Sequence, residues 1–336
     1  EESMLKTTKR ALLVSVGLAA AYLAAPANAD DKITIGFAQA SSNSAHRNTM
    51  TSRNAEYAEK NFPDTSLIIT NAEGKSEKQI SDVESLMVQG MKVLMISAQD
   101  GAAIAPTIKQ VMAAGIPVIT LERSLETPVT LHVGPHNKPI GVLAGKFIAD
   151  KLGGKGNVVE IKGDPAVAPA VERHDGFAEA IAGTDIKVIA ETHADWDQEK
   201  ALKFMEDTLQ RFPAGQIQAV YTHNDNMAFG ALRAIQAAGR DKEGILIIGI
   251  DGENAAIRAV AKGDLTATFT YSTVAPEGVI AAHALATNDT AALEKLGTMT
   301  KKDDGSMEIE IASQMITKDN AADFFCKGFG DDPECK

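Results

Sequence analysis

The sequence predicts an α/β protein of two similar domains, each a parallel sheet covered by helices on both faces. Three observations predict it. Short apolar, strand-like runs alternate with helix-like segments almost throughout, and the alternation falls into two series that part after Gly134. Residues 217–252 form a complete β-α-β unit whose polar side chains gather where its strands finish. Strands bracketed by helices in this way imply parallel sheets buried on both faces.

The first series opens with Lys32 to Ala38 and a helical pattern through Tyr57 and Phe62. Leu67 to Thr70 follows, then a helix with Ile80, Val83, Leu86 and Met87 at helical spacing. Val93 to Ser97, a helix through Ile108 and Met112, and Pro117 to Leu121 complete it, with Pro117 at a strand start where a missing donor is tolerated. Leu131 to Gly134 is the first candidate crossing between the domains. The second series runs from Asn157 (NVVEIKG) through a helix around Gly176 to Ile181, then KVIAET, a helix from Gln198 to Phe212, and the 217–252 unit. Later β-like runs, Leu265 to Tyr271 and Met307 to Ser313, are candidates for further crossings, with an Asp304-Gly305 turn before Met307.

Residues 1–29 read as an export signal: basic Lys6, Lys9 and Arg10, an apolar stretch from Ala11 to Ala25, and the small-x-small site Ala27-Asn28-Ala29 before Asp30. The apolar stretch is too short to span a bilayer comfortably. A periplasmic location with cleavage after Ala29 is the expectation, and fold reasoning starts at Asp30. A net charge of −12 disfavours nucleic acid and anionic membrane as partners. Cys326 and Cys335 are the only cysteines. In an oxidising compartment they are expected to form a disulfide, and a metal site there lacks further soft ligands. So short a loop stabilises by roughly 3 kcal/mol or less, and the sequence confines that effect to the tail.

Ligands of open α/β sheets bind beyond the carboxyl ends of the strands. The tips here carry amides, carboxylates and hydroxyls: Thr222 to Asn226 after one strand, Asp251 after another, Glu122 and Arg123 after Leu121. No nucleophile elbow, phosphate loop or metal-ligand cluster accompanies them, which favours holding a polar molecule over transforming it. No catalytic residue, metal or cofactor is therefore expected. Glu122 and Asp251 as a hydrolytic carboxylate pair are the enzyme alternative.

With its export signal, VITLERS (118–124), ERHDGF (172–177), NDNMAFGAL (224–232) and IIGIDG (247–252), the chain resembles the periplasmic sugar-binding proteins of bacterial ABC importers. Within that family it is most similar to the ribose, galactose and galactofuranose binders. The motifs stand in the family's order, and the likeness runs from about Lys32 to about Lys318. The resemblance implies two Rossmann-like doubly wound domains joined by three crossing strands, closing by hinge motion over one monosaccharide. The lobes it implies are residues 30–134 plus 272–305 and residues 135–271 plus 306–336. It further implies a monomer, an ABC permease as partner, and no enzymatic activity. A sugar alcohol as ligand, or a chemotaxis or sensor-kinase partner, remains the alternative. A repressor's sensory domain shares the fold, but would carry a DNA-binding segment where this chain has its export signal.

By residue, the resemblance places Glu122 and Arg123 on adjacent hydroxyls, Glu122 standing where the family has Asp. Asp251 accepts hydroxyl hydrogens or instead caps the next helix. Asn224 binds ligand or merely caps its helix, a task that Asp225 and Asn226 are expected to take. Trp196, the only tryptophan, offers its indole face to the sugar ring or packs under a helix start. Ser44, His46 and Arg47 lie in the loop after the first strand. Arg47 carries over from the furanose-type pattern, whereas His46 replaces an aromatic and would add pH sensitivity. Arg173 either reaches ligand or pairs with a neighbouring acid. Tyr271, where ribose binders carry Gln, reads as a hinge residue with its hydroxyl toward the cleft.

Overall fold

Strand β1 (Ile33–Gln39) is fully buried from Ile35 onward, so this part of it has to be covered on both sides. The computed structural model describes residues 32–335 and supplies that cover; the segment expected to be an export signal lies outside the described residues. After β1 come α1 (Ala45–Asn61), β2 (Thr65–Asn71), α2 (Ser76–Val88), β3 (Val93–Ile96), α3 (Gly101–Ala113), β4 (Val118–Leu121) and β5 (Leu131–Gly134). The chain then continues through α4 (Asn137–Leu152), β6 (Lys155–Lys162), α5 (Ala168–Ile181), β7 (Asp185–His193), α6 (Gln198–Arg211), β8 (Ala219–Thr222), α7 (Asp225–Ala237), β9 (Leu246–Ile248), α8 (Asn254–Lys262) and β10 (Ala267–Phe269). It ends with α9 (Glu277–Thr287), α10 (Thr290–Leu296), β11 (Met299–Lys301), β12 (Met307–Glu310), β13 (Met315–Thr317) and α11 (Ala321–Phe324).

Two sheets result, ordered β11-β12-β5-β4-β3-β1-β2 and β13-β10-β9-β8-β6-β7. All pairs are parallel except β11 with β12 and β10 with β13. Each sheet reverses its winding once, between β1 and β3 and between β6 and β8, which opens a crevice at the strand ends there. The period of two sends successive strand residues to opposite faces. Val93 and Met95 join Met50, Val279 and Ala282 in one layer, while Leu94 and Ile96 join Leu86, Ile104 and Ile108 in the other. In the second sheet Val220 packs toward α6, α7 and α8, and its neighbours Ala219 and Tyr221 toward α4 and α5. Among the described residues no helix is long and apolar enough to cross a membrane.

The chain passes between the sheets after β5, after β10 and after β12. The last passage corrects the expected lobe boundary at residue 306. Residues Met307–Glu310 pair in parallel with β5 and so belong to the first sheet, and only at 311–314 does the chain reach β13. The cause is the hairpin at Asp304-Gly305, where Gly305 adopts φ 89° and folds β11 antiparallel onto β12.

Candidate functional site

Because every strand of a parallel sheet ends on the same side, loops from both sheets converge on one cavity of about 340 Å³. That volume lies within the roughly 300–1,000 Å³ typical of small-molecule sites. The structure brings all ten sequence-predicted side chains to its wall: Ser44, His46, Arg47, Glu122, Arg123, Arg173, Trp196, Asn224, Asp251 and Tyr271. It also brings Gln99 and Asp164, which sequence reasoning passed over. Their signal was present, since Gln99 follows β3 and Asp164 follows β6 in the same way that Asp251 follows β9. Gln99 Nε2 donates to Asp164 Oδ2 at 3.4 Å and so bridges the two sheets' loops.

The first lobe's share is an ion cluster. Glu122 is 2% exposed, and its Oε1 lies 2.6 Å from Arg47 and 3.2 Å from Arg123 while accepting from Ser97 Oγ at 2.9 Å. Its Oε2 accepts from the Tyr271 hydroxyl at 2.9 Å, a bond that ties the second crossing to the first lobe. Burial pushes the Glu122 carboxyl up, but Arg47 and Arg123 outweigh that and hold it at about 2. Both oxygens are thus occupied by the protein itself. The Glu122 backbone sits at φ 55°, pressed so close to Gly134 that an added Cβ there would lie 2.7 Å from the Glu122 Cα. Glycine at the end of β5 is what admits this turn.

Ser44 caps α1, its hydroxyl accepting from the Arg47 amide at 3.3 Å. This starts the helix so that His46 and Arg47 face the cavity. His46 Nε2 bonds the Ser272 carbonyl at 3.2 Å, and burial lowers its pKa to about 3. The expected pH sensitivity near neutrality is therefore corrected: buried beside Arg47, the ring stays neutral in that range.

The second lobe contributes less saturated groups. Arg173 is 2% exposed on α5; its Nε donates to Asn137 Oδ1 at 3.0 Å and its Nη1 to the His223 carbonyl. No acid among the described residues forms an ion pair with it, and its guanidinium lies 4.4 Å over the Tyr271 ring and 5.7 Å from Trp196. Gly141 of α4 and Gly176 of α5 abut the carbonyls of Arg173 and Lys138, so the two helices meet backbone to backbone where Arg173 is held. Beneath it, His223 Nε2 bonds Glu160 Oε1 at 3.1 Å in a fully buried pair.

The Trp196 ring rests on Gly163, where any Cβ would overlap the indole. Asn224 is the cap of α7, its Oδ1 accepting from the Met227 amide at 2.9 Å. This corrects the expectation that Asp225 and Asn226 do that work. Asp225 instead turns inward, accepting from Thr268 Oγ1 at 2.6 Å and from the Glu253 amide at 3.0 Å. It props the loop that carries Asp251. Asp251 caps nothing, because α8 begins at a Glu253 cap without a side-chain bond. Among the described residues its carboxylate takes part in no hydrogen bond, and burial, opposed by Arg173, raises its pKa well above the ordinary value. Asp195, Trp196 and Asp251 all have positive φ (51°, 66° and 134°). Such backbone costs roughly 1–3 kcal/mol per residue and persists where its surroundings hold it.

Glu253 provides a pH test of this loop. It is 8% exposed, one oxygen has no hydrogen-bond partner among the described residues, and burial pushes its pKa from 4.5 to about 7. The folded state then holds an extra proton between those values. The resulting stabilisation is complete below about pH 4.5 and is lost as the pH rises through 7, on the order of 3 kcal/mol in all. Glu253→Gln is expected to flatten that slope and to exceed wild type in stability at pH 8, as read from urea midpoints. A wild-type midpoint no lower at pH 8 than at pH 5 contradicts the assignment.

Comparison with known proteins places this geometry among binding proteins. Residues 35–289 match the family described as the periplasmic binding protein domain. The chain is 37% identical over 269 residues to the ribose import binding protein of Bacillus subtilis, covering 79% of this chain and 86% of that one. It is 33% identical over 271 residues to the galactofuranose-binding protein of Escherichia coli, covering 77% of this chain and 83% of that one. Among solved structures, the fructose-binding periplasmic domain of a hybrid two-component system is similar with a TM-score of 0.76 and 33% identity, over 88% of this chain and 94% of that one.

Proposed function

The chain belongs to the periplasmic binding protein domain family, and from that premise we propose that it captures one uncharged monosaccharide between its lobes and releases it chemically intact. The observation that carries this reading is the division of labour in the cavity. Arg47 and Glu122 satisfy one another, while the Asp251 carboxylate has no hydrogen-bond partner among the described residues and stands beside Arg173, the Asn224 amide and the indole of Trp196. A sugar supplies what that set lacks: vicinal hydroxyls that donate and accept together, and an apolar C–H face for the indole. The saturated Glu122 speaks against a hydrolytic pairing with Asp251, because a general acid or nucleophile needs a free oxygen.

In this reading sugar binds one lobe and the other rotates over it about the three crossings, driven by higher affinity for the closed arrangement. Import by an ABC permease, export with cleavage after Ala29, and action as a monomer complete the proposal. Likeness to the domain of a two-component system supports a second reading, in which the closed form signals to a sensor kinase.

A thermal-shift panel of pentoses, hexoses and polyols tests the binding step. A ligand at 100 times its Kd stabilises by about 2.7 kcal/mol, so the right sugar raises Tm by several degrees and perturbs Trp196 fluorescence. Sugar phosphates and nucleotides are expected to give no shift. A panel flat for every neutral sugar and polyol overturns the proposal.

A further inference from the structure

The disulfide between Cys326 and Cys335, expected to act only on the tail, closes a loop whose Phe329 packs against His46, a residue of the cavity wall. The loop is fastened to the second lobe. The Asn254 amide donates to the Phe329 carbonyl at 2.8 Å and Asn254 Nδ2 to the Gly330 carbonyl at 3.1 Å. Arg258 pairs with Asp332 at 3.1 Å and with Glu334 at 3.3 Å. Gly328 abuts the carbonyl of Gly252, next to Asp251, so closely that a Cβ would overlap it. From this anchorage the 4%-exposed Phe329 reaches the first lobe, its ring standing edge-on to His46 with centroids 5.2 Å apart. His46 in turn lies 5.5 Å from the Tyr271 ring, and both line the cavity.

We propose that Phe329 is a positioning residue for the cleft: the disulfide-closed loop carries it from the second lobe onto His46 of the first, fixing the lobes in register over the guest. The part of this inference that concerns sugar affinity rests on the function proposed above; the part that concerns His46 does not. The groups facing the imidazole are Arg47 on its own helix, Glu122 after β4, Arg173 on α5, and Tyr271 with the Ser272 carbonyl on the second crossing. Phe329 adds its ring edge-on from the disulfide loop.

The test has two arms on the full chain. In the first, imidazole NMR follows His46 without ligand. Wild type is expected to keep it neutral down to about pH 3, whereas Phe329→Ala admits water and moves its titration toward about 6.5. Phe329→Tyr, which keeps the ring, restores the wild-type curve. In the second arm, D-ribose and D-galactose are the probes in stopped-flow titration. Phe329→Ala and the Cys326→Ser/Cys335→Ser double variant are expected to weaken the bound probe roughly 3- to 10-fold, through faster release.

Failure of both probes to bind wild type counts against these sugars as ligands, while the NMR arm still decides the role of Phe329. An unaltered His46 titration in a folded Phe329→Ala variant overturns the proposal. Should that variant not fold, Phe329→Leu and wild type reduced with dithiothreitol carry the same comparison: a raised His46 titration supports the proposal, and an unaltered one overturns it.

Discussion

Replacing Asp251 with alanine is expected to abolish measurable sugar binding while leaving the ligand-free protein as stable as wild type, or more so. The two halves of this prediction have one cause. The Asp251 carboxylate is 8% exposed, takes part in no hydrogen bond among the described residues, and has its pKa raised by burial. A desolvated carboxylate without partners is a cost to the empty fold, so removing it relieves the fold. The same lack of partners makes it available to a guest. A hydrogen bond to a charged group contributes about 1.5–3 kcal/mol, so two hydroxyls on this carboxylate are worth roughly 100-fold to 10,000-fold in Kd. Calorimetric titration and urea unfolding of one preparation read both halves. Unchanged affinity removes Asp251 from the site. Lost affinity with an equal loss of stability makes it a structural residue.

Glu122 is expected to show the opposite pattern. Glu122→Gln deprives Arg47 and Arg123, 7% and 8% exposed at their side chains, of their shared counter-ion. It also weakens the bond from the Tyr271 hydroxyl that joins the second crossing to the first lobe. Breaking a buried ion pair by neutralising one partner costs about 3–5 kcal/mol, enough to lower Tm by roughly 10 °C in a chain of this size. The loss precedes any ligand and is read in its absence. The pH dependence carries the same sign: with its pKa held at about 2 against an ordinary 4.5, the carboxylate stabilises fully above pH 4.5 and its contribution falls as the pH drops toward 2. A Glu122→Gln protein that melts with wild type, yet no longer binds, would make Glu122 a sugar contact instead of the organiser of Arg47 and Tyr271.

The fold was legible because parallel strands buried on both faces leave plain apolar runs, and the cavity was legible because such runs end in polar tips on one side. Asp251, Asn224 and Arg123 all follow this rule, and Gln99 and Asp164 obey it too, at strand ends that no motif marks. What stayed hidden depends on contacts distant in sequence. The run MEIE of β12 fits either sheet until β5 is seen to pair with it. The saturation of Glu122 requires Ser97 and Tyr271 to arrive from elsewhere, and nothing near Glu122 announces them. Two cysteines nine residues apart indicate a closed loop, but not that the loop delivers Phe329 to His46.

Equilibrium dialysis against a mixture of neutral monosaccharides and polyols, with NMR identification of what the protein retains and later releases, tests the account most directly. One sugar or polyol retained at one per chain, lost in Asp251→Ala and recovered unaltered after unfolding, is the result expected. Retention of nothing from the mixture, or recovery of a hydrolysed or modified product, would contradict it.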